Sequence, residues 1–192
     1  KVPNTPGDGP YPAIIETDPT LPHHVVYRPK DLSPFSGGKL PILVWGNGAC
    51  VDDGTAHRLH LAEIASYGYL VVAVGDWRSG PGATTPAAPR AAQPAGTLPP
   101  PATTAQDVKA GLDWALAENV RKGSKYRGKI ARDQAAVAGH SCGGLQAIEL
   151  AADPRIKTVI VNNSGIFKGG KSPIPGISAD KTLLDRFHTP VI

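Results

Sequence analysis

The pentapeptide Gly139-His140-Ser141-Cys142-Gly143 constrains this chain more than any other stretch, because of what flanks it. Ala135-Ala136-Val137-Ala138 before it is a short apolar run of strand type, and Leu145-Gln146-Ala147-Ile148-Glu149-Leu150 after it has helical spacing. A strand that turns into a helix within so few residues brings the two backbones close together, so Gly139 and Gly143 must lack side chains. Ser141, at the tip of the turn, takes strained backbone angles and projects away from both elements. The helix that begins behind it aims free N–H groups and its positive end at that point.

The same alternation runs through the rest of the chain. Residues 39–45 read as a buried strand stopped by Gly46-Asn47-Gly48. Residues 55–67 read as a helix with Leu59, Ala62 and Ser66, or Leu61, Ile64 and Ala65, at three-to-four spacing, capped by Gly68. Residues 69–74 form a β-branched run without polar interruption, as expected where both faces of a parallel sheet are covered. The Pro-rich stretch 75–102 has too many breakers for a regular element and is read as a substrate-side loop. Thr103-x-x-Gln106 has the form of a capping box ahead of a helix striped by Val108, Leu112, Ala115 and Leu116. A strand at 135–139, a helix at 142–152 and a strand at 156–161 follow.

Upstream of these, residues 13–16 and 24–27 supply antiparallel edge strands on an otherwise extended segment 1–23. Downstream, 179–187 reads as helical and 190–192 as the start of a strand. The whole of 1–192 is expected to be a single α/β domain with a mostly parallel central sheet flanked by helices. Its ligand crevice lies at the carboxyl ends of the strands, where Gly46, Gly75, Ser141 and Asn162 sit.

Composition bears on what can be excluded. No apolar run approaches the roughly 20 residues of a membrane span. The net charge of +4 gathers only at Arg121, Lys122, Lys125, Arg127 and Lys129, with Tyr126 as the one stacking residue, and matches no nucleic-acid recognition motif. No Cys and His cluster has metal-ligand spacing. The chain contains no Met, so Lys1 is not a translated start; removal of a secretion signal is the simplest account, and a secreted or periplasmic protein is expected.

Taken together, the strand, the Gly46-Asn47-Gly48 turn, the helix, the second strand, the long loop and the Gly139-His140-Ser141-Cys142-Gly143 elbow resemble the α/β-hydrolase superfamily over about residues 24–192. Within it the chain is most similar to secreted esterases of the dienelactone-hydrolase, cutinase and polyester-hydrolase neighbourhood. Dienelactone hydrolases proper use a Cys nucleophile; here Ser141 holds that place and Cys142 follows it.

The resemblance implies a serine esterase that attacks carboxylic esters through Ser141, with no cofactor. The backbone N–H of Cys142 is the first oxyanion donor, and that of Asn47 the second, with Gly48 the alternative in the same turn. Trp45, Trp77 and the Pro-rich loop are candidate walls for the substrate. A peptidase or amidase on the same fold, or a catalytically silent binding module, are the competing readings.

In such enzymes an acid and then a His follow the serine in chain order, and neither is visible. His188 begins a strand and so stands at the opposite edge from the elbow; His140 should point away from Ser141. His23, His24, His57 and His60 are read as surface or edge positions. Asp76 follows a strand and is read as a loop anchor rather than the triad acid. The acid and base are therefore expected beyond residue 192, in a chain that is truncated, cleaved or given in part. A second chain or fragment carrying the remaining strands, the Asp and the His is the expected partner, beside the ester substrate. Cys50 and Cys142 are brought near each other by the fold, either as a disulfide or as two buried thiols.

Overall fold

The computed structural model describes residues 2–86, 100–167, 169, 172 and 174–192. The core of the Pro-rich stretch expected to be a substrate-side loop, 87–99, lies outside the described residues.

Among the described residues, nine strands and α-helices build the fold. They are β1 (Ala13–Asp18), β2 (Leu21–Pro29), β3 (Leu40–Gly46), α1 (Arg58–Ser66), β4 (Leu70–Val74), α2 (Ala105–Glu118), β5 (Ile130–His140), α3 (Cys142–Leu150) and β6 (Ile156–Asn162). The six strands form one sheet in the order β1-β2-β4-β3-β5-β6. β4, β3, β5 and β6 run parallel, and β2 and β1 continue the sheet antiparallel. The α/β architecture and the antiparallel amino-terminal strands are as the sequence predicts.

Both faces of the central strands are buried, which is why their sequences are apolar throughout rather than alternating. Ile42, Val44, Leu70, Val72, Val137 and Val159 face one way and pack with Val108, Leu112 and Ala115 of α2 and Ala147 and Leu150 of α3. Leu43, Trp45, Val71, Ala73 and Ala138 face the other way, against Leu61, Ala62 and Ala65 of α1. Trp45 is thus part of the core under α1, only 2% exposed, and not a wall of an open pocket.

Several boundaries move, each for a local reason. β5 begins at Ile130 rather than 135, because its register with β3 shifts between Leu40 and Ile42 and the intervening Arg132, Asp133 and Gln134 project into solvent. α1 starts at Arg58, since Thr55 is held in a turn by Asp53, whose Oδ1 accepts from both its N–H (3.0 Å) and its hydroxyl (2.8 Å). The capping box of α2 is displaced by one residue. Thr104 is the cap, accepting from the Asp107 N–H, while the Asp107 carboxylate accepts from the Thr104 N–H. Thr103 is buried instead and donates its hydroxyl to the Cys50 carbonyl. The 179–187 segment forms only a 3₁₀ turn at Lys181–Arg186. Residues 190–192 do run parallel to β6, with Val161 N–H donating to the Ile192 carbonyl at 2.8 Å.

No described helix is long and apolar enough to cross a membrane.

Candidate functional site

Ser141 stands between β5 and α3 with φ 52° and ψ −116°, a left-handed conformation that costs a non-glycine residue about 1–3 kcal/mol. The surrounding backbone holds it there. A Cβ on Gly139 would collide with the Gly143 carbonyl, and a Cβ on Gly143 with the Gly46 carbonyl. A Cβ on Gly46 would in turn stand 2.9 Å from the Gly143 Cα. β5, α3 and β3 therefore touch through main chain alone, and the requirement for glycine at 139 and 143 holds.

The end of β6 completes the support. The Asn162 carbonyl accepts the Ser141 N–H at 2.9 Å, and its side-chain amide donates to the Gly139 carbonyl at 3.3 Å. Asn162 thus clamps the turn on both sides of His140. Its pattern in sequence, one more polar residue after an apolar strand, carried no sign of this. The Ser141 carbonyl accepts from Gly144 and Leu145, so α3 begins its ladder there. The N–H groups of Cys142 and Gly143 precede the first intrahelical donors.

Asn47 lies directly behind the elbow, fully buried, its amide nitrogen 2.7 Å from where a Gly143 Cβ would be. Its side chain donates to the carbonyls of Val74 (2.7 Å) and Val51 (3.0 Å), tying the end of β3 to the end of β4. Gly48 is half-buried and faces the His140 ring. Cys50 and Cys142 are joined in a disulfide, with Cα atoms 5.3 Å apart. Both are buried, at 0% and 1% exposure. Of the two alternatives left open by the sequence, the bridge is the one present. The Cys50 carbonyl also accepts from the N–H groups of Ala102 and Thr103, and Gln146 of α3 donates to the Thr103 carbonyl. The turn after β3, the start of α2 and the elbow form one braced unit.

A cavity of about 410 Å³ opens at Ser141. Its described lining is Ser141, Cys142, Leu145, Asn163, Ser164, Gly165, Ile166, Phe167 and Ile174, with no His or carboxylate among them. Trp77 lies elsewhere, beside Asp76, Thr84 and Thr85 in a separate crevice of about 280 Å³, so neither tryptophan walls the serine pocket. The actual wall comes from the segment after β6. There Ile166, Phe167 and Ile174 are set among Gly, Pro and Lys with no period to reveal them.

The histidines divide sharply. His140 is half-buried with its ring 5.2 Å from that of His57, and points toward Gly48 rather than into the serine cavity. His188 binds the Asp153 carbonyl (3.1 Å) at the amino-terminal end of β6, the opposite edge from Ser141. His23 and His60 are exposed, as read. Of the others read as surface or edge positions, His24 is buried and His57 half-buried. His24 is 7% exposed on an interior strand and reaches the carbonyls of Pro22 and Asp107. His57 packs between Trp45 and His140, and burial followed by the neighbouring His140 holds its imidazole below the ordinary range. Asp76 anchors loops: it pairs with His23 (2.9 Å) and Arg78 (3.0 Å), and Arg78 reaches on to Asp52 (2.6 Å).

No protein-family model matches this sequence, and no curated protein matches it either.

Proposed function

We propose that the chain is the nucleophile-bearing part of an α/β-hydrolase and cleaves carboxylic esters through an acyl-enzyme on Ser141. The observation that carries this reading is the strained Ser141 at the junction of β5 and α3, held by glycine contacts and by Asn162. A merely structural turn has no use for a serine in that conformation, where glycine would be free of strain.

In the reaction, Ser141 Oγ bonds to the ester carbonyl carbon and the alcohol leaves with a proton. Water then attacks the acyl-enzyme and returns the proton to Ser141 as the carboxylic acid departs. The N–H of Cys142, at the positive end of α3, holds the oxyanion in both steps; Asn47 and Gly48 of the β3 turn are the candidates for the second donor, although neither is in the described lining of the serine cavity. The general base and its orienting acid are supplied by polypeptide other than the described residues, on a second fragment or a continuation of the chain. The buried disulfide supports a secreted or periplasmic setting.

A second reading, a silent binding module, draws on the absence of any His or carboxylate from the described lining of the serine cavity. Hydrolysis of p-nitrophenyl acetate separates the two. The full-length protein should turn the ester over, and Ser141→Ala should abolish turnover. A complete gene without a downstream Asp and His, or turnover that survives Ser141→Ala, overturns the catalytic reading.

A further inference from the structure

The charge of the chain is unevenly spread. Residues 28–39 and 118–133 meet at the amino-terminal edge of the sheet, where β2 and α2 end and β3 and β5 begin. The Gly37 and Gly38 N–H groups both donate to the Gly128 carbonyl at 3.0 Å, and the Leu40 N–H donates to that of Lys129 at 2.8 Å, so the two stretches form one surface. Together with Glu16, which joins this surface through Arg28 and Lys125, they hold nine Lys and Arg against four carboxylates. That excess is larger than the +4 of the whole chain, so the remainder is net negative. Asp18, Asp52, Asp53, Asp76 and Asp107 gather at the opposite, carboxyl edge.

Three of these cations are committed inside the protein. Glu16 takes Arg28 (2.8 Å) and Lys125 (2.6 Å), and Glu118 takes Arg121 (2.6 Å). Lys30, Lys39, Lys122, Arg127 and Arg132 are exposed and make no ion pair among the described residues; Lys129 donates to the Ser36 hydroxyl at 3.4 Å. The Asp31 carboxylate is taken by the N–H and hydroxyl of Ser33, both at 2.8 Å. The cations stand on turn tips rather than in a cleft: at Gly37, Gly123 and Gly128 an added Cβ would meet nothing within 4 Å. Phe35 and Tyr126, the aromatic residues of the two stretches, are buried, so no platform is offered on which a base could stack. Val120, by contrast, is 66% exposed beside Arg121 and Lys122.

We propose that this edge docks the protein on a bilayer surface of anionic phospholipid headgroups. Lysine ammonium groups on flexible stems suit a fluid layer of phosphates, which asks for no fixed bidentate partner. Each Lys or Arg held at such a surface improves binding about fivefold, so the six unpaired cations hold the protein without an inserted segment, and Val120 adds an apolar contact at the headgroup layer. The carboxylates of the opposite edge are repelled and fix the orientation. β3 alone spans about 23 Å, well beyond the screening length of about 8 Å at physiological salt, so Ser141 faces away from the bilayer and lies outside its field. The bilayer is thus a support and not the substrate, and the inference does not rest on Ser141 being a nucleophile.

Sedimentation of the full-length protein with vesicles provides the first measurement. It should bind vesicles of phosphatidylcholine mixed with phosphatidylglycerol, ignore phosphatidylcholine alone, and detach as salt is raised. Lys122→Glu with Arg127→Glu should weaken binding at least about twentyfold, with the urea unfolding midpoint unchanged. Lys109→Glu with Lys181→Glu alters the net charge equally but lies off this edge, and should keep most of the binding. A second measurement needs no variant: nanodiscs of the mixed lipids carrying a nitroxide headgroup should broaden the amide signals of Lys39, Lys122 and Arg127 and spare that of Ser141. Equal binding to both kinds of vesicle, equal losses in the two double variants, or broadening centred on Ser141 overturns the inference. Tighter binding to duplex DNA or heparin than to the mixed vesicles also overturns it, and assigns the edge to a polyanion in solution.

Discussion

Replacing Cys50 and Cys142 together by alanine asks how much of the fold's stability comes from the single covalent tie at the elbow. The bridge spans 92 residues. For a loop of that length the chain-entropy relation removes about 4.6 kcal/mol of unfolded-state freedom at 25 °C. Measured values usually fall short, because denatured chains are already compact. The double alanine variant should therefore unfold at a free energy lower by about 2–4.6 kcal/mol in urea denaturation followed by tryptophan fluorescence. Alanine is preferred to serine, since both sulfurs are buried and a hydroxyl in either place would need a partner. Reduced wild-type protein, measured in parallel, separates the loop term from the small cavities left by the missing sulfurs. The same burial gives a kinetic corollary: dithiothreitol can reach the bridge only through unfolding, so reduction should proceed at the unfolding rate measured independently. A loss below about 1 kcal/mol, or reduction much faster than unfolding, would refute the reasoning.

Three further outcomes are expected. Gly143→Ala places a methyl group against the Gly46 carbonyl, which is main chain and cannot swing aside; a destabilisation of at least about 1–3 kcal/mol should appear in the same assay, and a neutral result would show that β3 and α3 separate easily. Thr104→Ala should cost about 1 kcal/mol by removing the cap of α2, whereas Thr103→Ala should act through the buried hydrogen bond to Cys50; equal insensitivity at 104 would contradict the displaced capping box. His57 is held below its ordinary value, first by burial and then by His140, so the unfolded chain takes up its proton more readily than the folded one. Its contribution is fully present above about pH 6.5 and is lost as the pH falls through that value toward the lower folded one. His57→Gln should flatten the stability profile between pH 7 and 5, and an unchanged slope would assign the acid sensitivity elsewhere.

How far the fold could be read depended on whether a residue's neighbours lie close in the chain. Val71, Val72 and Ala73 announce a strand covered on both faces, and the elbow announces itself because strand, turn and helix are contiguous. β5 was cut short because Arg132, Asp133 and Gln134 bulge into solvent and imitate a loop. Thr103 looked like a helix cap because its actual partners, the Cys50 carbonyl and Gln146, lie far away in sequence. His24 and His57 passed for surface residues because their burial depends on α2 and on Trp45, which local pattern does not report. Ile166, Phe167 and Ile174, which do face Ser141, have no periodicity to mark them, and only the packing of their segment on α3 brings them there.

The contact of Gly46, Gly139 and Gly143 has a consequence for variation. Because main chain meets main chain behind the serine, the place of Ser141 is set largely by backbone contact rather than by the packing of the side chains in front of it. The cavity wall in front can be rebuilt residue by residue while the Ser141 backbone stays where it is. In a saturation scan selected for folded protein, these three positions should reject nearly every substitution, while 166, 167 and 174 accept many. A scaffold of this kind separates where the serine sits from what the pocket accepts, and the second can be redesigned without disturbing the first.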